Sequence, residues 1–160
     1  MMLVEREGGT AIRPAAPGDE GGWRALWGAY CDFYEVAIPP EVTDSLWLRI
    51  MDASSAVKAL VAERKAETGH GRLVGLANYV LHPFTWGTSL ACYLEDLFVA
   101  EGARSQGVGT ALIEALIAQA ARNGWPRVYW HTHELNEAAR SVYEKITPRD
   151  PFVRYVVKLK

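Results

Sequence analysis

The segment Arg104-Ser105-Gln106-Gly107-Val108-Gly109-Thr110 constrains this chain more than any other stretch. It follows an apolar, strand-like run, Tyr93-Leu94-Glu95-Asp96-Leu97-Phe98-Val99, and opens an amphipathic one. In the latter, Val108, Leu112, Ile113, Leu116, Ile117 and Ala120 recur at helical spacing. Glycines at a strand-to-helix junction leave several backbone N–H groups pointing at one spot, at the electropositive end of the helix. Such a spot suits a pyrophosphate. Two familiar phosphate loops are excluded: there is no Gly-Lys-Ser/Thr, and Gly102, Gly107 and Gly109 do not make the G-x-G-x-x-G dinucleotide fingerprint. What remains is Arg-x-x-Gly-x-Gly before an apolar helix. Tight-turn chemistry alone would also recruit those glycines.

The rest of the chain reads as one domain of residues 10–160 behind a flexible tail of residues 1–9. At 160 residues it is long enough to bury its own core. The formal net charge of −2, without a basic run, gives no footprint for nucleic acid. No apolar run reaches membrane-spanning length, and residues 1–10 lack the apolar core of a secretion signal. Cys31 and Cys92 are too few for a disulfide framework and suit a reducing cytoplasm, the expected location.

Periodicity orders the elements. Thr10–Arg13 predicts a strand, and Asp19 an N-cap for a helix with Trp23, Leu26, Trp27, Tyr30 and Cys31 on one face. Pro39-Pro40 interrupts, and Thr43 or Asp44 caps a second short helix through Leu46, Trp47, Ile50 and Met51. Strands are predicted over 57–66 and 72–82, joined by a turn at 67–71, and over 89–99. A long helix covers 107–123 and stops at Gly124 and Pro126. A strand over 128–132, a helix from 137 to about 146 and a last strand over 152–159 complete the chain.

Several side chains could carry chemistry. Glu95, a carboxylate inside an apolar strand, is costly without a partner or a task, and desolvation raises its proton affinity. Asp96, one residue on, is expected on the opposite face by strand alternation, where an arginine partner would explain it as well. His131 and His133 share a face at a spacing that can serve a metal, but two ligands without a third make no site, and no metal is expected. Around Ser105 a nucleophile elbow fails, because Ala103 stands where glycine is needed.

Three segments together resemble the GCN5-related N-acetyltransferase superfamily: Leu94-Glu95-Asp96-Leu97-Phe98-Val99, Arg104 to Gly109, and Asn136 to Tyr143. Within it, the chain is most similar to the branch acting on polyamines, histone tails and small amines, through Leu-Glu-Asp-Leu-Phe-Val and Tyr129-Trp130-His131-Thr132. The resemblance implies an α/β (α+β) acyl-CoA N-acyltransferase fold. Its central mixed, mostly antiparallel sheet carries helices on both faces and a splayed cofactor cleft. The implied activity is acetyl transfer from acetyl-CoA to a small-molecule primary amine, a polyamine or similar. An amino acid or a protein amine is the alternative acceptor, and a non-catalytic acyl-CoA sensor a further one. The resemblance also leaves room for a homodimer.

It distributes the site residues as well. The backbone of Leu97, Phe98 and Val99 would pair with the pantetheine arm, although a plain core strand would look the same. Arg104, Ser105, Gln106, Gly107, Val108, Gly109 and Thr110 would hold the pyrophosphate. Asn136, Ala139 and Tyr143 would line the arm, with Asn136 equally suited to cap its helix. Tyr143 would protonate the departing thiolate, and Glu95 would act as general base; packing on the sheet is the alternative for the tyrosine. Tyr34, Glu35, Trp47, Glu95 and His131 would meet the acceptor, in a region where Tyr30, Phe33, Glu41 and Asp44 also cluster. Ordinary helix packing with solvated acids on the rim would produce the same cluster.

Overall fold

The computed structural model describes residues 4–6, 9–65 and 71–159. Among the described residues, six strands lie side by side in chain order: β1 (Val4–Arg6), β2 (Thr10–Pro14), β3 (Val57–Arg64), β4 (Arg72–Pro83), β5 (Leu90–Val99) and β6 (Val128–Tyr129). Pairing is antiparallel from β1 to β5, and β6 joins β5 in parallel. The helices are α1 (Glu20–Phe33), α2 (Pro40–Met51), α3 (Val108–Asn123) and α4 (Glu137–Tyr143). The sheet is mixed and mostly antiparallel, with helices on both faces.

The two faces explain why β3 reads as nearly continuous apolar sequence. Ala59 and Val61 face α1 and α2, joining Trp23, Leu26, Trp27, Trp47 and Ile50. Leu60 and Ala62 face α3, joining Val108, Ala111, Leu112, Ala115 and Leu116. A strand covered on both sides has no polar alternation to show. α3 is bracketed by two left-handed glycines, Gly107 (φ 76°) before its first turn and Gly124 (φ 67°) after its last. A Cβ at either would be strained.

Four expectations need correction. The second helix begins at Pro40, not at Thr43 or Asp44, because a proline at the first helical position gives up an N–H that had no partner there anyway. Thr43 instead accepts a hydrogen bond from Trp27 Nε1 (3.2 Å), and Asp44 pairs with Arg24 (2.8 Å). Asp19 stands just before α1 but does not cap it. Its carboxylate accepts from Arg13 at 2.6 and 2.8 Å and from the Ala16 N–H at 2.8 Å. Residues 152–159 form no strand, although Val153, Tyr155, Val157 and Leu159 alternate with other residues as a strand would. They are exposed, because β6 ends after two residues and offers no long edge to pair with. Finally, β1 pairs with β2 inside the segment expected to be a tail, whose residues 1–3 and 7–8 lie outside the described residues. Residues 67–70 of the expected β3–β4 turn also lie outside them.

Candidate active site

β5 and β6 touch only at Cys92↔Val128 and Tyr93↔Tyr129, anchored by a bond from Cys92 N–H to the Arg127 carbonyl (3.1 Å). Beyond Tyr93 the two chains part. Leu94 and Asp96 to Val99 keep their β4 partners, and the stretch from Leu94 to Val99 has no strand on the other side among the described residues. This is the splay that the resemblance implied, and it begins earlier than expected: the strand predicted over 128–132 stops at Tyr129.

A β-bulge sits at the mouth of that gap. Asn78 is paired with Asp96, yet Tyr79 is paired with Leu94, so Glu95 is the extra residue without a partner on β4. The bulge resets the alternation on which the sequence argument relied. Leu94 and Tyr79 belong to the α3-side core, whereas Asp96 reaches the α1 side. Asp96 is therefore not turned away from Glu95, and its carboxylate is close enough to raise the proton affinity of Glu95. For Glu95, partial desolvation is the larger cause of the rise, Asp96 adds to it, and Arg154 opposes both. The side chain nonetheless remains open to the cleft.

Behind Glu95 runs a polar chain. Trp23 Nε1 donates to Asn78 Oδ1 (3.2 Å), and Asn78 Nδ2 donates to Asp96 Oδ2 (3.1 Å). The Tyr30 phenol also faces Asp96, near enough to favour its charged form. Burial pushes the Asp96 carboxyl up, and these two neighbours hold part of that rise back. Tyr30 packs against Tyr34 at 4.9 Å, and Tyr34 in turn bears on the phenol of Tyr143. Burial raises the Tyr143 phenol, which is thus a protonated acid at neutral pH. Its ring meets Trp130 edge-on at 5.5 Å.

The glycine segment forms the loop that sequence reasoning expected. Ser105 is left-handed (φ 60°), as is Gly107, and Gln106 is held by Arg64 (2.8 Å) and the Gly102 carbonyl (3.2 Å). The first bond of α3 is donated by Ala111 N–H to the Gly107 carbonyl (2.9 Å). The helix therefore supplies no acceptor for the amides of Val108, Gly109 and Thr110. A Cβ at Gly109 would meet only Val99 Cγ2, at an ordinary 3.7 Å. The fold does not demand glycine there. Arg104 uses its guanidinium as a clasp, bonding the Val99 carbonyl (3.1 Å) and lying 5.4 and 5.6 Å from the ring centroids of Phe33 and Phe98.

The remaining expected residues divide. Asn136 caps α4, accepting from the Ala139 N–H (3.2 Å). Leu97 and Val99 pack on the α3-side core and Phe98 on the other, all on the open stretch of β5. Trp47 does not reach the acceptor region: it is 5% exposed and packed 5.2 Å from Trp23. Glu35 is exposed at the end of α1 with a left-handed backbone (φ 53°). His131 meets the Tyr93 hydroxyl (Nδ1 to Oη, 3.2 Å), while His133 accepts from the Leu135 N–H (3.2 Å). The two histidines are thus not side by side on one strand, and no group of three metal-ligating side chains is found among the described residues.

Sequence reasoning missed Asn78, Tyr93, Arg154 and the true side of Asp96. Only Asn78 carried a signal: an amide in the middle of an apolar strand must find partners.

Against known proteins, residues 23–147 match the family model described as the acetyltransferase (GNAT) family. The D-amino-acid N-acetyltransferase HPA3 of Saccharomyces cerevisiae is 33% identical over 144 residues, covering 90% of this chain and 88% of that protein. The uncharacterized N-acetyltransferase YhfO of Bacillus subtilis is 30% identical over 137 residues, covering 84% and 86%. The fold is shared with the aminoglycoside acetyltransferase AAC(6')-Iy bound to a bisubstrate analogue (TM-score 0.78, 19% identity, 94% of this chain and 98% of that one). It is shared too with a ribosomal-protein-alanine N-acetyltransferase of Brucella melitensis (TM-score 0.73, 21% identity, 94% and 99%).

Proposed function

The chain belongs to the acetyltransferase (GNAT) family and is an N-acetyltransferase, and we propose that it moves an acetyl group from acetyl-CoA to a small primary amine by direct transfer. The observation that carries this reading is the bulge that presents Glu95 beside the gap between β5 and β6.

The residues present fit acetyl-CoA. The amides of Val108, Gly109 and Thr110 would take its pyrophosphate, with room above Gly109 for close approach. The open edge from Leu97 to Val99 would pair with the amides of its arm, next to Asn136, Ala139 and Tyr143. Acetyl-CoA supplies an activated thioester, so the protein needs no nucleophile of its own. Glu95 takes a proton from the acceptor ammonium, leaving a neutral amine free to attack. Its raised proton affinity suits a base working near neutral pH. Tyr143 gives its phenolic proton to the departing sulfur.

For the acceptor, the balance favours the amine of an amino acid over a polyamine. HPA3 is named for D-amino acids, and Arg154, whose charge reaches Glu95, could face a carboxylate. The acidic and aromatic rim that suggested a polyamine is partly spoken for, with Asp44 paired to Arg24 and Trp47 in the core. Tyr34, Glu35 and His131 remain to contact the acceptor. Thiol release from acetyl-CoA, followed across D- and L-amino acids, polyamines and basic peptides, tests the reading. Turnover with none of them would place the acceptor outside these classes.

The base is tested separately. Glu95→Gln should lower kcat/KM most near neutral pH, with a deficit that shrinks as pH approaches the amine's own pKa. The ammonium then arrives already deprotonated. Wild-type and variant profiles running parallel from about pH 6.5 to 9.5 would make Glu95 an anchor and not a base.

A further inference from the structure

We propose that Asp96 is a positioning residue for the transfer: through Asn78 and Tyr30 it locks the bulge that presents Glu95 and ties that bulge to helix α1. The inference rests on the reading of Glu95 as the base.

The geometry points this way from three sides. A bulge leaves one residue without a ladder partner and is free to slide unless something fixes its register. Here the residue next to the unpaired one, Asp96, is held by a donor from β4, Asn78 Nδ2 at 3.1 Å, and faces the Tyr30 phenol of α1. Asn78 itself is 2% exposed and is held by Trp23 Nε1 at 3.2 Å, so both halves of its amide are used. Trp23 and Tyr30 lie seven residues apart, on one face of α1. The helix therefore grips the bulge through the bonded chain Trp23–Asn78–Asp96, with Tyr30 facing the same carboxylate. A half-buried carboxylate is a costly way to hold a strand, since an apolar residue would serve packing better. Its negative charge beside Glu95 is what an apolar residue could not supply.

The charged and titratable groups around the pair are few. Asp96 and Arg154 act on Glu95 in opposite directions. Tyr30, Tyr93 and Cys31 face the pair, and each is made harder to deprotonate by Asp96. Removing the charge of Asp96 thus leaves only desolvation to oppose Arg154, and Glu95 becomes a weaker base.

The test is Asp96→Asn, which preserves shape and an acceptor facing Tyr30. The acid limb of the kcat/KM profile should move to lower pH by about half a pH unit or more. The kcat at neutral pH should fall about tenfold or more, as for a misplaced catalytic group, while the calorimetric Kd for acetyl-CoA stays put. An unmoved acid limb overturns the inference. If Glu95→Gln abolishes that limb, the base reading stands without Asp96. If the limb survives in Glu95→Gln, the base reading itself has failed. Should Asp96→Asn not fold, carboxyl ¹³C titration of the wild-type protein decides. The Glu95 curve should inflect where Asp96 titrates, and a Glu95 curve blind to Asp96 overturns the inference.

Discussion

The two sides of β5 are built by opposite means. Toward β6 and the glycine loop, the surface a ligand would meet is backbone: the open edge from Leu94 to Val99 and the leading amides of α3. Toward α1, it is side chain: Glu95 at the surface, and Asp96, Asn78 and Trp23 bonded behind it, with Tyr30 facing Asp96. Backbone cradles are set by local geometry, so a pair of glycines and a strand-to-helix junction suffice to specify one. A side-chain network needs partners 18 to 55 residues apart in sequence, and each of those partners depends on the register of the whole sheet. The first kind of site recognises what every member of a family shares. The second is where members can differ.

Breaking the junction between the two sides should cost most. Tyr143→Phe removes one hydroxyl from a ring packed on Trp130, so acetyl-CoA binding should hold while kcat falls by roughly 10²–10⁴. A kcat within a small factor of wild type would make Tyr143 a packing residue and water the donor. On the acceptor side, Trp47→Ala should destabilise the fold by about 3–5 kcal/mol in denaturant titrations, as truncation of a buried aromatic does. At a temperature where the variant is folded, the acceptor KM should barely change. A selective rise in that KM would put Trp47 back at the site. The cofactor side should give the smallest and cleanest effect. In Gly109→Val the new side chain starts at a Cβ that meets only Val99, and valine is the better helix former, so the melting temperature should not drop. Loss of charge-assisted amide contacts should still weaken acetyl-CoA by about ten- to a hundredfold in calorimetry. Unchanged affinity would remove the pyrophosphate from this loop.

The same division governs how much the sequence could disclose. The strands β2 to β5 and the helix α3 were legible to within two residues, because their apolar periods are long and Gly107 and Gly124 mark the helix ends. Asn136 was legible as a cap for the same local reason. The placement of Asp96 was not. Alternation along Leu94-Glu95-Asp96-Leu97 is sound arithmetic for a regular strand, and nothing in those four residues announces a bulge. Trp47 misled in another way: an aromatic beside acids on a short helix fits a pocket rim or a core equally well, and the packing of Trp23 on it decides. The stretch 152–159 has a strand's composition, but composition cannot tell a segment that an edge is missing.

That half-paired β5 has a meaning for the life of the protein beyond chemistry. An open strand edge next to apolar residues is the kind of surface on which other chains nucleate. A ligand that lies along Leu97–Val99 as a seventh strand would close that surface each time it binds. In the proposed reading, acetyl-CoA is then consumed as a reagent and serves as a chaperone of the sheet. The folded population would follow the cell's supply of acetyl-CoA through simple mass action, with the enzyme most durable when its own donor is plentiful.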